Sequence, residues 1–135
     1  MAHTAAGALR ILIAEDETSV VQSVSVVLRY AGHRIESVTN GTDALALLTA
    51  KSADYDLLIT DHTMPAPDGL QLVGKLRATN YSGKIIVLSA HLTSDVEQAY
   101  RALAVDHILR KPFDIAELRA AVEQATAAIV AQRSV

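Results

Sequence analysis

The chain has 135 residues, half of them hydrophobic, and a formal net charge of −3, which suits one domain with an ordinary packed core. It contains no cysteine, which excludes disulfides and thiolate metal sites, and its Lys and Arg are scattered, leaving no basic stripe to track a nucleic-acid backbone. No apolar run approaches the roughly 20 residues that cross a bilayer, and residues 1–8 show no basic n-region, so a soluble, cytoplasmic protein without membrane insertion is expected.

The first apolar run, residues 9–14, is too short for a helix and reads as a buried strand that ends on acid in Glu15-Asp16-Glu17. Residues 20–28 are ambiguous: Val20, Val24 and Val27 keep helical spacing, while the β-branched content favours a strand. A helix is assigned because strand and helix alternate everywhere else, and a break would leave one sheet face uncovered. A weaker strand at 33–38 precedes a helix carrying Ala44, Leu47 and Leu48. Residues 56–60 form the next buried run and leave Asp61 at its C-terminal lip. Beyond it lies a loop punctuated by Pro65, Pro67 and Gly69, in which Asp68-Gly69 shapes the turn and caps a helix with Leu72, Val73 and Leu76.

The strand predicted at 84–89 ends in Ser89, and Ser94-x-x-Glu97 reads as a capping box opening a helix with Val96, Ala99, Tyr100 and Leu103. A weaker strand at 107–110 runs into Lys111-Pro112. Asp114-x-x-Glu117 caps the clearest helix, marked by Ile115, Leu118, Val122, Ala125 and Ile129. One domain is expected over residues 9–131, with tails at 1–8, which include His3, and at 132–135. Asp54 and Asp56 are expected to face solvent, His33 and His107 to lie at the surface, Glu17 merely to favour a helix N-terminus, and Tyr100 to pack.

Strict alternation with short connections implies five parallel strands covered by helices on both faces, with right-handed crossovers. In such sheets the site lies beyond the carboxyl ends of the strands. Glu15, Asp16, Asp61, Ser89 and Lys111 all fall there. If the strands bearing Glu15-Asp16 and Asp61 are neighbours, carboxylates about 5 Å apart repel by roughly 3 kcal/mol per pair at an effective dielectric of 20, so a cation is needed. Lys111 is one candidate. A hard divalent ion, Mg²⁺ or Mn²⁺, is the other, since the donors are all oxygen. A carboxylate beside such charges can attack phosphorus, making Asp61 the candidate nucleophile and Ser89 a hydrogen-bond donor to the new phosphoryl group.

The segments Ile11-Leu12-Ile13-Ala14-Glu15-Asp16-Glu17, Asp61-His62-Thr63-Met64-Pro65-Ala66-Pro67-Asp68-Gly69, Val87-Leu88-Ser89-Ala90 and Lys111-Pro112-Phe113, in this order, resemble the receiver domain of two-component response regulators. The resemblance runs from about Leu9 to about Ile129. It implies an α/β, flavodoxin-like (βα)5 three-layer sandwich with strand order 2-1-3-4-5. It implies that Asp61 is the phosphoacceptor, that Asp16, Asp61 and the Thr63 carbonyl ligate Mg²⁺ with Glu15 helping through water, that Ser89 and Lys111 bind the phosphoryl group, and that the Lys111–Pro112 peptide is cis. It further implies a sensor histidine kinase or histidine phosphotransfer protein as donor, and a signalling rather than enzymatic role.

Two positions depart from the family. Glu15 stands where Asp is usual, and Ile108 where an aromatic reports phosphorylation. The activated state is therefore expected to be read through the loop at Ser89 to Thr93, and a protein target to dock on the face built by the fourth helix, last strand and last helix. Thr63 and His91 flank the path of a hydrolytic water and are candidates for tuning acyl-phosphate lifetime, while His62 borders the pocket. A receiver excised from a larger hybrid kinase or transcription regulator is an alternative. So are a phosphatase of the haloacid dehalogenase type, which lacks here an Asp at Thr63, an FMN binder, whose phosphate loop Glu15-Asp16-Glu17 would repel, and a docking module that is never phosphorylated.

Overall fold

Strands and helices alternate throughout residues 7–133, the part of the chain described by this computed structural model. They are β1 (Arg10–Ala14), α1 (Thr18–Tyr30), β2 (Arg34–Val38), α2 (Gly41–Ala50), a 3-10 turn (Ser52–Asp54), β3 (Leu57–Asp61), α3 (Gly69–Ala78), β4 (Lys84–Ser89), α4 (Ser94–Ala102), β5 (His107–Arg110) and α5 (Ile115–Arg133). The strands pair in parallel in the order β2-β1-β3-β4-β5, the flavodoxin-like arrangement.

Alternate side chains of each strand enter opposite layers. Ile11, Ile13, Leu57, Ile59, Ile86 and Leu88 pack on one face against Val24 and Leu28 of α1 and Leu118, Val122, Ala125 and Ile129 of α5. Leu12, Leu58, Ile85 and Val87 pack on the other against Leu48, Leu72, Leu76 and Tyr100, drawn from α2, α3 and α4. Burial on both faces explains why these strands read as continuous apolar runs.

The ambiguous segment 20–28 is helical. It buries Val24, Ser25 and Leu28, while Val26 stays exposed, a split that only a helical period allows. Ile115, assigned to the buried stripe of the last helix, is 56% exposed because it occupies the first turn, and Ala121 fills the stripe deeper in. The cap of α4 is Thr93 rather than Ser94: Thr93 is extended, and its side chain accepts the Val96 N–H at 3.3 Å. Asp114 and Glu117 form the expected reciprocal cap, and Asp68 pairs with Gln71 in another.

Asp56 does not face solvent. Its carboxylate accepts the Arg10 N–H and closes on Arg133 at 2.6 Å, tying β1 to the end of α5. His33 is likewise structural, its Nδ1 accepting the Leu9 N–H at 3.0 Å. Gln132 and Arg133, expected in the C-terminal tail, belong to α5. Residues 1–6 of the other tail, His3 among them, and residues 134–135 lie outside the described part. Among the described residues no helix is long and apolar enough to cross a membrane.

Candidate functional site

Strand register is what assembles the site. Ala14 pairs with Thr60, so Glu15 and Asp61 leave neighbouring strands at the same level. Asp61 pairs with Leu88, and Ser89 with Arg110, which brings Ser89 and Lys111 to the same sheet end, one residue further along. Residues separated by up to 96 positions therefore meet.

One carboxylate oxygen from each of Glu15, Asp16 and Asp61 lies within 4.8 Å of the others. Glu15 is fully buried and Asp61 nearly so, while Asp16 is exposed at the rim. The Lys111 Nζ donates to Glu15 Oε1 at 2.9 Å and lies 3.3 Å from Asp61 Oδ2. It also reaches Glu17 Oε1 at 3.4 Å. Glu17 does not serve only the helix start: its side chain makes no capping hydrogen bond and is instead a third partner of the lysine. The signal available in the sequence was its place beside two acids at a strand end.

The remaining bonds set the conformation of the site. Glu15 Oε2 accepts the Glu17 N–H at 3.1 Å, and Asp61 Oδ1 accepts the Thr63 N–H at 3.4 Å. The Ser89 hydroxyl donates to the His91 carbonyl at 3.0 Å and accepts its N–H at 3.2 Å, so it closes on its own loop. Thr63 and His91 are exposed on either side. Ile108 is half-buried in the apolar layer with Val96 and Leu103. The Lys111–Pro112 peptide is cis, and so is Ala66–Pro67, which nothing in the sequence had marked.

Burial pushes the Glu15 carboxyl above its ordinary range, although the Lys111 hydrogen bond opposes this. Burial also works against the charge of Lys111, but the hydrogen bond to Glu15 and the fields of Asp61 and Glu15 outweigh it and hold the ammonium above the ordinary lysine value. The lysine therefore stays charged through neutral pH. An all-oxygen donor set this tight fits a hard divalent ion, with Asp16 open to solvent on the entry side. Beside the cluster a cavity of about 530 Å³ is lined by Glu17, Val20, Val24, Lys111 and Phe113.

His62, expected only to border the pocket, shares a 2.5 Å hydrogen bond between its Nδ1 and the hydroxyl oxygen of Tyr100. No spacing in the sequence links positions 62 and 100. Their contact follows from the crossover that lays α4 against the sheet.

Residues 11–123 match the family model described as the response regulator receiver domain. The transcriptional regulatory protein QseB of Haemophilus influenzae is 30% identical over 115 residues, covering 85% of this chain and 51% of the relative. The transcriptional regulatory protein PrrA of Mycobacterium tuberculosis is 33% identical over 114 residues, covering 84% of this chain and 48% of the relative. The chain thus spans about half the length of these two regulators. Among solved structures, the receiver domain of the Francisella response regulator 1452 superposes with a TM-score of 0.81 at 27% identity, covering 90% of this chain and 98% of that one. The chemotaxis response regulator CheY4 of Vibrio cholerae gives 0.76 at 28% identity, covering 87% and 98%. With the family match extending over most of the chain and the same sheet order beneath it, this protein belongs to the response regulator receiver domains of two-component systems.

Proposed function

We propose that the chain, from Leu9 through α5, is a phosphorylation-driven switch whose acceptor is Asp61. An Asp61 oxygen attacks the phosphorus of a phosphohistidine carried by a sensor kinase or a phosphotransfer protein. The bond to the donor imidazole breaks, and an acyl phosphate forms. Asp16, Asp61 and the Thr63 carbonyl would hold Mg²⁺ or Mn²⁺, with Glu15 acting through water. Bound there, the ion would neutralise charge on the phosphoryl oxygens. Lys111 keeps the Asp61 carboxylate oriented and then faces the phosphoryl group; Ser89 gives up its bonds to His91 and donates to it. Thr63 and His91 tune hydrolysis of the acyl phosphate.

The observation that carries this reading is the Lys111 ammonium 3.3 Å from Asp61 inside a three-carboxylate cluster at the sheet end. Thr63 favours self-directed transfer over turnover of an external phosphomonoester, because a haloacid dehalogenase-type enzyme needs a second acid at that position. Phosphorylation adds about −1.5 to −2 charges, and moving a mostly inactive population to a mostly active one requires roughly 5 kcal/mol of differential stabilisation. The readout is a protein target docking on the face formed by α4, β5 and α5. That the matched regulators are about twice as long supports a second setting, in which this receiver controls an output region of a larger chain.

Incubation with Mg²⁺ and a small acyl phosphate, followed by intact-mass measurement, tests the reading. An added phosphoryl mass that disappears in Asp61→Asn is expected. Unchanged labelling of Asp61→Asn would refute the assignment.

A further inference from the structure

His62 follows the acceptor directly, and its backbone is clamped on both sides. Its N–H donates to the Leu88 carbonyl of β4 at 2.9 Å, and its carbonyl accepts the Gly69 N–H that opens α3, also at 2.9 Å. The imidazole therefore sits on a backbone with little freedom of its own. Its Nδ1 lies 2.5 Å from the Tyr100 hydroxyl, shorter than the roughly 2.9 Å typical of hydrogen bonds to nitrogen, and the rings meet edge to face with centroids 5.5 Å apart.

Tyr100 is the one fully buried residue of α4. A phenol that deep needs a hydrogen-bond partner, and burial holds its pKa far above the ordinary range. Space for the hydroxyl exists because residue 69 is glycine. A Cβ there would come within 2.6 Å of the Tyr100 oxygen, 2.7 Å of the Asp61 carbonyl and 2.8 Å of His62 Cα. The acceptor's own carbonyl, the next residue and the tip of the α4 tyrosine thus converge on one point.

No other hydrogen bond among the described residues joins the loop 61–69 to α4. The neighbouring contacts of α4 in this layer, Val96, Leu103 and Ile108, are apolar. The C-terminal end of α4 is held separately, by the Arg77 guanidinium donating to the carbonyls of Leu103 and Ala104 at 2.9 and 3.0 Å.

We propose that the His62–Tyr100 hydrogen bond is the main link, beside the Ser89–Thr93 loop that leads into the α4 cap, through which the state of Asp61 reaches α4, with Tyr100 as a positioning residue for the signalling face. A displacement of the backbone at residues 61–63 either carries Tyr100 with it or breaks the bond and leaves a buried hydroxyl unpaired. Both outcomes change the preferred placement of α4, and the two arrangements then compete as alternative conformers. This link rests on the phosphoacceptor reading of Asp61 and adds the route by which a switch with Ile108 on β5 communicates.

The test uses the full, isotope-labelled chain with Mg²⁺ and a small acyl phosphate, following phosphoryl mass and backbone amide resonances together. The unmodified protein should gain the mass and shift the amides of residues 94–102. Tyr100→Phe should gain the same mass and keep the response at Ser89 and His91, while its α4 response falls at least threefold. His62→Asn, whose amide can replace Nδ1, should restore more of the α4 response than His62→Leu. Full α4 shifts in phosphorylated Tyr100→Phe would overturn the link alone. So would equal responses in the Asn and Leu variants, a comparison that serves even if Tyr100→Phe folds poorly. No phosphoryl mass on the unmodified protein would remove the acceptor reading and the link with it.

Discussion

Replacing Lys111 with Met probes the charge balance of the site while keeping an unbranched side chain. At an effective dielectric of 20, the attraction to Glu15 at 2.9 Å is about 6 kcal/mol. The attraction to Asp61 at 3.3 Å is about 5 kcal/mol. Without the ammonium, carboxylate oxygens within 4.8 Å repel by about 3.5 kcal/mol or more per pair. The fully buried Glu15 has a cheaper escape, which is to take up a proton. From its ordinary value of 4.5, protonation at pH 7.5 costs about 4 kcal/mol, and at pH 5.5 about 1.4 kcal/mol. The destabilisation expected is therefore about 4 kcal/mol at pH 7.5, in line with the roughly 3–5 kcal/mol typical of a broken buried pair.

The sign of the pH dependence follows from proton counting. A folded-state Glu15 pKa raised above 4.5 means that the folded form binds the extra proton, so stability is full below 4.5 and is lost as pH rises through the folded value. Urea unfolding of the unmodified protein and Lys111→Met at the two pH values measures this. Adding Glu15→Gln to Lys111→Met should abolish the slope. A loss below about 1 kcal/mol at pH 7.5, or one that does not change with pH, would show that Lys111 does not compensate Glu15.

Three further outcomes are expected. Burial holds His33 below its ordinary 6.5 while Nδ1 accepts the Leu9 N–H; stability should be full above 6.5 and fall as pH drops through the folded value, and His33→Asn, which accepts without titrating, should remove that component from urea titrations. Identical pH profiles would count against this. Gly69→Ala should destabilise by about 1–3 kcal/mol, because the added carbon meets backbone atoms of Asp61 and His62 that cannot yield; a change under about 0.5 kcal/mol in thermal unfolding would contradict the crowding. Ala104 is held at φ 60°, and Ala104→Gly should raise the urea midpoint by a net gain of about 0.5 kcal/mol, strain relief exceeding the entropy of the unfolded glycine; a lower midpoint would refute that balance.

Local pattern in the sequence was enough to specify the alternation of strands and helices, the Asp68 and Asp114 caps, and the placement of Glu15, Asp61, Ser89 and Lys111 at strand ends. These depend on periodicity and on chemistry within a few residues, which a one-dimensional string preserves. Even the ambiguous segment that became α1 was resolved by its neighbours in the order of elements. Tertiary structure alone decided what required distant groups to meet: the 2.9 Å Lys111–Glu15 bond and the third partner Glu17, Asp56 joining Arg10 to Arg133, His33 receiving the Leu9 N–H, and His62 meeting Tyr100. The physical reason is register. Pairing Ala14 with Thr60 is a choice made by the whole sheet as it buries both faces, and sliding it by one residue would turn the same acids away from one another.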